Sequence, residues 1–547
     1  LKSLTRSTRR ETLKLGLGGV LAAALALDAR AQDADPAATP EEAAPTTPED
    51  PLPPGARVDL DNFSFDALSA AMRERAAQPY VPLQDELPEP IAELDYDGYR
   101  RILFRRERTV WANEPGQFQL QAFYPGFLYR ATTRIHVGDG QRFQLLAFSG
   151  EDFEFLAPLD ADLFRNTPLD GVAGFRLTTP IDRPDLFDEV VSFLGASYFR
   201  ALGRDNRYGL SARGIALNTA TTVEEEFPRF SAFYLVRPGP SDERITIFAE
   251  LDSPSVTGAY AFTVIPGQHT IIEVTKRLYF RNPVERLGVA PLTSMYFYGE
   301  NNRRRPEDFR PEVHDSDGLM IVRASGERVW RPLKNPTELA LSYFGEASPR
   351  LFGLLQRDRE FASYQDVEAR YDVRPSLTIE PLGDWGRGVV QLVEIPTNSE
   401  ANDNIVAFWV PEERPAAGSA YEFRYRMRWG ILDEDAGGLA MVTGTYAGVG
   451  GNAADTSDNP GLWRFEINFD GGTAASLPMD ARIEPLIDVG DNARLQHAGM
   501  RRMPHGGWRL SLELEKLDSA PVELRAKLTY AGRTLSETWL YQWTGAV

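Results

Sequence analysis

The sequence of 547 residues contains no cysteine, which removes disulfides, thiolate zinc sites and cysteine nucleophiles together. Histidine is scarce: His136, His269, His314, His497 and His505 are the five present. They never fall four apart or within one short loop, so a histidine-rich metal centre is not expected and no cofactor is called for. Positive charge is in deficit, with 59 Lys and Arg against 79 Asp and Glu, a formal charge of -20. Nucleic acid and anionic membranes are bound through Lys and Arg clusters, so both are excluded as partners, whereas a neutral polymer is not repelled. Long apolar runs are also lacking, since the longest early one, Leu15 to Leu27, is far short of a bilayer span. No Gly-x-Ser-x-Gly elbow precedes a helix, which weakens the case for Ser-His-Asp chemistry. The glycine cluster Gly383-Asp384-Trp385-Gly386-Arg387-Gly388 has no following lysine and leads into a strand-like segment, so it is not a phosphate loop.

What remains is a chain 42% apolar, long enough for two or more cores. Residues 1–31 read as a twin-arginine signal peptide. Ser7-Thr8-Arg9-Arg10-Glu11-Thr12-Leu13-Lys14 precedes the apolar run, and Ala29-Arg30-Ala31 supplies a small-x-small cleavage pattern before Gln32. The expectation is an exported, periplasmic protein with no stable membrane insertion. Residues 32–56, rich in Pro, Ala, Thr and acid, read as a disordered spacer.

Helical spacing of Phe65, Leu68, Ala71 and Met72, with Ser64 or Asp66 to cap its start, predicts a helix between Asn62 and Ala77. A second helix is expected from Arg183-Pro184-Asp185 through Leu186, Phe187, Val190, Val191, Leu194 and Tyr198 to a stop at Gly203. Nearly everything else reads as strands, among them Arg142 to Phe148, Ile245 to Leu251, Ala259 to Ile265 and Thr270 to Phe280. Pro411, Pro415 and Gly418 mark 411–419 as a linker. Beyond it, Tyr421 to Trp429 alternates apolar and charged residues, and four later segments repeat the pattern. The expected fold is mainly β: a large N-terminal β-sandwich at 57–410, then a smaller immunoglobulin-like β-sandwich at 420–547.

Residues 308 to 409 concentrate carboxylates, arginines and large aromatics, a composition suited to a long groove for a polar chain. Cleaving a glycosidic bond needs one carboxylic acid to protonate the leaving oxygen and one carboxylate to activate water. Asp315 or Asp317, in His314-Asp315-Ser316-Asp317-Gly318, could project from a strand end, although Asx-turns account for the same letters. Asp403 stands where an acidic loop with Glu400, Asn402 and Asn404 enters the apolar run Ile405 to Val410, a rigid mount for a catalytic acid that ordinary turn chemistry would also produce. Tyr371 offers a ring face and a hydroxyl and Arg374 a fork of donors, roles to set against a buried tyrosine and an ion-paired arginine. Trp385 in its glycine turn is a candidate sugar platform, whereas Trp330 and Trp409 lie in apolar strands and read as core. Arg303-Arg304-Arg305 is a basic cluster that reads first as a solvated loop.

Read together, the segments Asp308 to Gly318, Phe352 to Arg359, Tyr371 to Ser376, Pro381 to Gly388 and Asn402 to Trp409 resemble the osmoregulated periplasmic glucan biosynthesis proteins of the G and D type. The resemblance covers most of the chain after about residue 57, and it implies that the large sandwich is galactose mutarotase-like. It implies an inverting β-1,2-glucan hydrolase with Asp403 as acid, Asp315 as base, and Tyr371, Arg374 and Glu400 as glucan-contacting residues. It also implies proton transfer through substrate hydroxyls or water chains. A transglycosylase that branches or cyclises glucan is the nearest alternative. A non-catalytic scaffold assisting a membrane glucan synthase is the second, and a homodimer is a further partner to consider.

Overall fold

The computed structural model describes residues 57–82, 87–302, 307–432, 436–451, 461–478 and 480–545. The segments read as signal peptide and spacer, and the Arg303-Arg304-Arg305 cluster, lie outside the described residues. The fold is mainly β, and among the described residues no helix is long and apolar enough to cross a membrane.

Two large sheets form the first sandwich. One has ten strands, nine of them running from Gln119–Phe123 through Gly174–Thr179, Asp188–Leu194, Tyr198–Ala201, Ser211–Arg213, Leu287–Ser294, Ile405–Pro411 and Arg387–Glu394 to Ala340–Ala347, with Ala216–Leu217 also pairing on Leu287–Ser294. Facing it is the middle of a fifteen-stranded sheet, which includes Ile245–Asp252, Val256–Ile265 and Thr270–Phe280. Aromatic rings interlock between the two layers: Phe193 and Phe199 of the smaller sheet lie 5.3 and 5.5 Å from Phe262 of the larger. Burial of this kind, at roughly 25 cal/mol per Å² of apolar surface, is what holds the layers together.

The predicted first helix forms at Phe65–Ala76, and the Ser64 side chain accepts from the Ala67 amide as its cap. Its apolar face packs with Tyr234, Ala259 and Tyr279, covering the outer side of the large sheet.

The second predicted helix does not form. Asp188–Leu194 and Tyr198–Ala201 are neighbouring antiparallel strands. Val190 to Phe193 are consecutively buried, and a short apolar run buried on both faces satisfies helical and strand templates alike. β-branched Val190 and Val191 then favour the pleated form.

The sheet order also corrects the boundary drawn at 411–419. Ala420–Gly430 alternates as expected, with Phe423, Tyr425, Met427 and Trp429 buried, but it pairs with Thr270–Phe280 on one side and Ser376–Pro381 on the other. It is therefore a central strand of the large sheet and does not open a separate sandwich. The second sandwich begins later. A four-stranded sheet of Met441–Val449, Leu462–Asp470, Trp508–Lys516 and Ala493–Arg502 packs on the far end of the same fifteen-stranded sheet. That end joins through the parallel pair Arg328–Pro332 and Thr538–Trp543. The two sandwiches thus share one continuous sheet, and the second core takes in Met320, Trp330 and Leu355.

Candidate active site

Asp403 and Asp315, distant in sequence, are brought together by a short strand between them. Asn404, directly after Asp403, accepts from the Tyr296 amide (2.8 Å) and donates to the Tyr296 and Ile395 carbonyls (2.9 and 3.1 Å). Tyr296 in turn pairs across strands with His314, and the Asp315 amide donates to the Met295 carbonyl at 2.9 Å. Met295-Tyr296 is the rung to which both acid-bearing segments are pinned, which fixes the backbone on either side of the site.

The two carboxylates have different surroundings. Asp315 is buried and its Oδ1 is gripped by the Arg374 guanidinium. Asp403 keeps a partly exposed edge, yet its Oδ2 is shielded from solvent and has no hydrogen-bond partner. Burial pushes its pKa up to about 6; Arg200, Arg213 and Arg374 pull against that rise, and the charge of Asp315 adds to it. A carboxyl that titrates near 6 with one idle oxygen carries a proton it can give away.

Around this pair runs a chain of polar contacts. The Arg374 guanidinium lies 4.2 Å over the Tyr371 ring, and its Nε donates to the Ala369 carbonyl at 3.1 Å. The Tyr371 hydroxyl donates to Glu400 at 3.1 Å, and Glu400 also accepts from Arg310 at 2.8 Å. Arg310 further engages Asp308 and Asp366. The expected site residues Asp315, Arg374, Tyr371 and Glu400 thus form one connected set beside Asp403.

Trp385 does not join them. It is 8% exposed and packs against Trp409, Phe423 and Tyr425, with its indole N–H donating to the Arg424 carbonyl. The positive φ angles of Gly383 (114°) and Gly386 (74°) turn the chain so that the indole folds back into the core. The glycines signalled a sharp bend, and its direction was the part the letters did not carry. Trp330 and Trp409 are core residues as well.

Several residues of the site were not singled out from the sequence. His314 is fully buried, with Nε2 2.8 Å from Glu312 and Nδ1 2.9 Å from the Gln356 Oε1. Burial opposes its charge, but Glu312, joined by Asp317 and Glu300, lifts its pKa to about 9. The Gln356 amide donates to both the His314 and Tyr371 carbonyls (2.9 and 3.2 Å), tying the strand that carries Asp315 to the turn that carries Tyr371 and Arg374. Arg200, Arg213, Tyr198 and Tyr129 approach Asp403 from the face of the ten-stranded sheet. The signal available for them was a charged residue breaking an apolar strand, as Arg200 does between Phe199 and Ala201.

Comparison with known proteins places nearly the whole chain in one family. The family model described as "Periplasmic glucan biosynthesis protein, MdoG" matches residues 63–543. Glucans biosynthesis protein G of Cereibacter sphaeroides is 48% identical over 548 residues, covering 100% of this chain and 98% of the relative. The proteins of that name from Shewanella frigidimarina and Rhodopseudomonas palustris are 43% and 41% identical, covering 88% and 92% of this chain and 85% and 96% of themselves. With a family match of that extent and relatives of that identity, the chain belongs to the MdoG family of periplasmic glucan biosynthesis proteins.

Proposed function

We propose that the protein cleaves β-1,2-linked glucan backbones with inversion during periplasmic glucan maturation. Asp403 gives its proton to the glycosidic oxygen as the bond to the anomeric carbon breaks. Water attacks that carbon from the opposite face, and its proton passes to Asp315, directly or through a chain of water or sugar hydroxyls. Arg374 orients Asp315 through Oδ1, while Tyr371 and Glu400 offer a ring face and oxygen partners to neighbouring sugars.

The observation that carries this reading is the unpartnered, desolvated Oδ2 of Asp403, raised toward neutrality next to a carboxylate that an arginine holds in place. The test is to incubate the purified protein with linear β-1,2-glucan and follow chain length and product anomer. Shorter oligosaccharides released as the inverted anomer are expected from the wild type, with turnover lost in Asp403→Asn and Asp315→Asn while binding persists. Rings or new linkages would assign the site to glycosyl transfer instead. Retention of function by both variants would reduce the protein to a scaffold. Delivery to the periplasm is proposed to follow the twin-arginine route through Arg9 and Arg10, and paired Lys substitutions there should leave the precursor in the cytoplasm.

A further inference from the structure

On the ten-stranded-sheet side of Asp403 lies an aromatic cluster that the proposed chemistry does not use. Gly126 and Tyr129 close a tight hairpin through reciprocal backbone hydrogen bonds of 3.0 and 2.8 Å, leaving Phe127 and Leu128 at its tip. Phe127 is held at φ 53°, a conformation that bulky side chains avoid and that glycine adopts freely. The hairpin is firmly seated. Arg130 donates to the Ala92 carbonyl (2.9 Å) and the Phe127 carbonyl (3.2 Å), and the Tyr99 hydroxyl donates to the Tyr124 carbonyl (3.0 Å). Gly126 sits at φ 135°, which side chains rarely adopt, and a Cβ there would crowd the Leu94 side chain at 2.8 Å and the Ile91 carbonyl at 3.3 Å.

Strain maintained by this many contacts marks a side chain kept for what it presents. Phe127 lies 5.8 Å from Tyr96 and 6.3 Å from Tyr99, and Tyr99 lies 5.4 Å from Tyr129. Tyr96, Phe127 and Tyr129 each keep part of their surface in solvent, and Leu128 is exposed.

The cluster is continuous with the acid. The Tyr129 ring covers the turn at Gly195, where a Cβ would meet it at 3.2 Å, and that turn leads directly into Tyr198, whose ring carries the Arg213 guanidinium at 4.8 Å. Tyr129 and Tyr198 both feel the charge of Asp403. Arg200, two residues beyond Tyr198 and partly exposed, acts electrostatically on both Tyr129 and Asp403, and its planar fork of donors suits a sugar hydroxyl.

We propose that Tyr96, Phe127 and Tyr129 form a pyranose-binding subsite that holds a sugar of the glucan chain beyond the bond being cut, with Arg200, which acts on both Tyr129 and Asp403, linking the subsite to the acid. Pyranoses present flat C–H faces to aromatic rings and a rim of hydroxyls to tyrosine and arginine donors, which matches the groups gathered here. This inference rests on the glucan reading above.

The test measures binding directly, in the Asp403→Asn background, so that it does not require turnover. Calorimetric titrations would use linear β-1,2-glucan long enough to fill the groove and, separately, a short β-1,2-oligosaccharide. Phe127→Gly is the decisive change, because glycine relieves the positive φ and the fold should be kept. Its expected result is an unchanged or higher melting temperature with at least fivefold weaker binding of the long glucan and little effect on the short one; Phe127→Tyr should restore the affinity. Equal affinity of Phe127→Gly and its parent for the long chain would overturn the subsite while leaving the cleavage site intact. Failure of the parent to bind either glucan would overturn the glucan reading and the subsite together. If the wild type binds but never cleaves, and Phe127→Gly still weakens binding, the subsite stands and the hydrolase assignment alone falls.

Discussion

If Asp403 is the proton donor, activity should carry an alkaline limb set by its pKa of about 6. Only the protonated form works as a general acid, so kcat should fall about tenfold per pH unit above that value, leaving about a tenth of the donor in its active form at pH 7. The limb should move in opposite directions when the flanking charges are removed. Arg200 is the foremost charge holding the Asp403 pKa down, so Arg200→Met should shift the limb upward by roughly one unit, the low end of what a neighbouring charge does. Asp315 pushes it up, so any residual activity of Asp315→Asn should show the limb moved down. The assay is reducing-end release from linear β-1,2-glucan at saturating substrate between pH 4 and 9. The same perturbation has a stability signature. Below 3.8 the folded and unfolded chains both hold the proton, and between 3.8 and about 6 only the folded chain does, so stability declines as pH rises through that window and is flat above it. Two units correspond to about 3 kcal/mol; because Asp403 keeps a partly exposed edge, about 1–2 kcal/mol is the expected gain from Asp403→Asn at pH 7.5. A limb that does not move in Arg200→Met, together with a wild-type rate that is flat from pH 5 to 8, would refute Asp403 as the acid.

Two further perturbations test the fold that carries the site. Lys276 is buried between the sheets among Tyr260, Phe423 and Tyr425, and burial lowers its pKa to about 7. Between about 7 and 10.5 the unfolded chain holds a proton that the folded chain has lost, so stability rises with pH across that window. Lys276→Met should flatten this rise and add about 1–3 kcal/mol at pH 7, since the Gly214 carbonyl keeps the Tyr260 hydroxyl at 3.0 Å; thermal melts from pH 7 to 10 measure both. At Gly318 a Cβ would stand 2.1 Å from the Trp330 ring, so Gly318→Ala should cost about 2–3 kcal/mol in urea unfolding and lower turnover by displacing the adjacent Asp315 turn.

Much of the local structure was readable because its cause is local. Ser64 ahead of a helical apolar stripe gives the first helix, and Thr270–Phe280 is bounded as the alternating pattern requires. What failed depended on partners. Val190 to Phe193 are apolar on both faces because sheet neighbours and the opposing layer cover them, a circumstance that erases the period separating strand from helix. Tyr421 to Trp429 was rightly read as a strand, but its alternation says nothing about which strands it joins, and Pro411 to Ser419 looked like a domain break while serving as a turn between two sheets of one sandwich. The acids were nominated by the family resemblance, since Asx-turn letters recur throughout an acidic chain. Arg200 and Tyr129 reach Asp403 across strands far apart in sequence, and no spacing rule connects them.

The shared sheet explains why a second sandwich belongs to this site at all. Gln356 and Arg357 are consecutive, and their side chains reach in different directions. Gln356 holds the His314 and Tyr371 carbonyls, on which the placement of Asp315, Tyr371 and Arg374 depends. Arg357 lies 3.6 Å over the Trp330 ring and binds both oxygens of Glu537 at 2.9 and 3.0 Å, as well as the Val442 carbonyl of the four-stranded sheet. Its own amide donates to Asp317 at 2.8 Å, closing the turn that begins at Asp315. Glu537 is fully buried, and burial of a carboxylate is tolerated only while its partners remain, here Arg357, Arg328 and the Val442 amide. Removing the Arg357 side chain would leave that charge short of its main partner in the interior, a penalty of several kcal/mol. The C-terminal sheet therefore acts as a buttress under the turn that carries Asp315, and the stiffness of Asp315 is set in part by contacts made on the far side of Arg357.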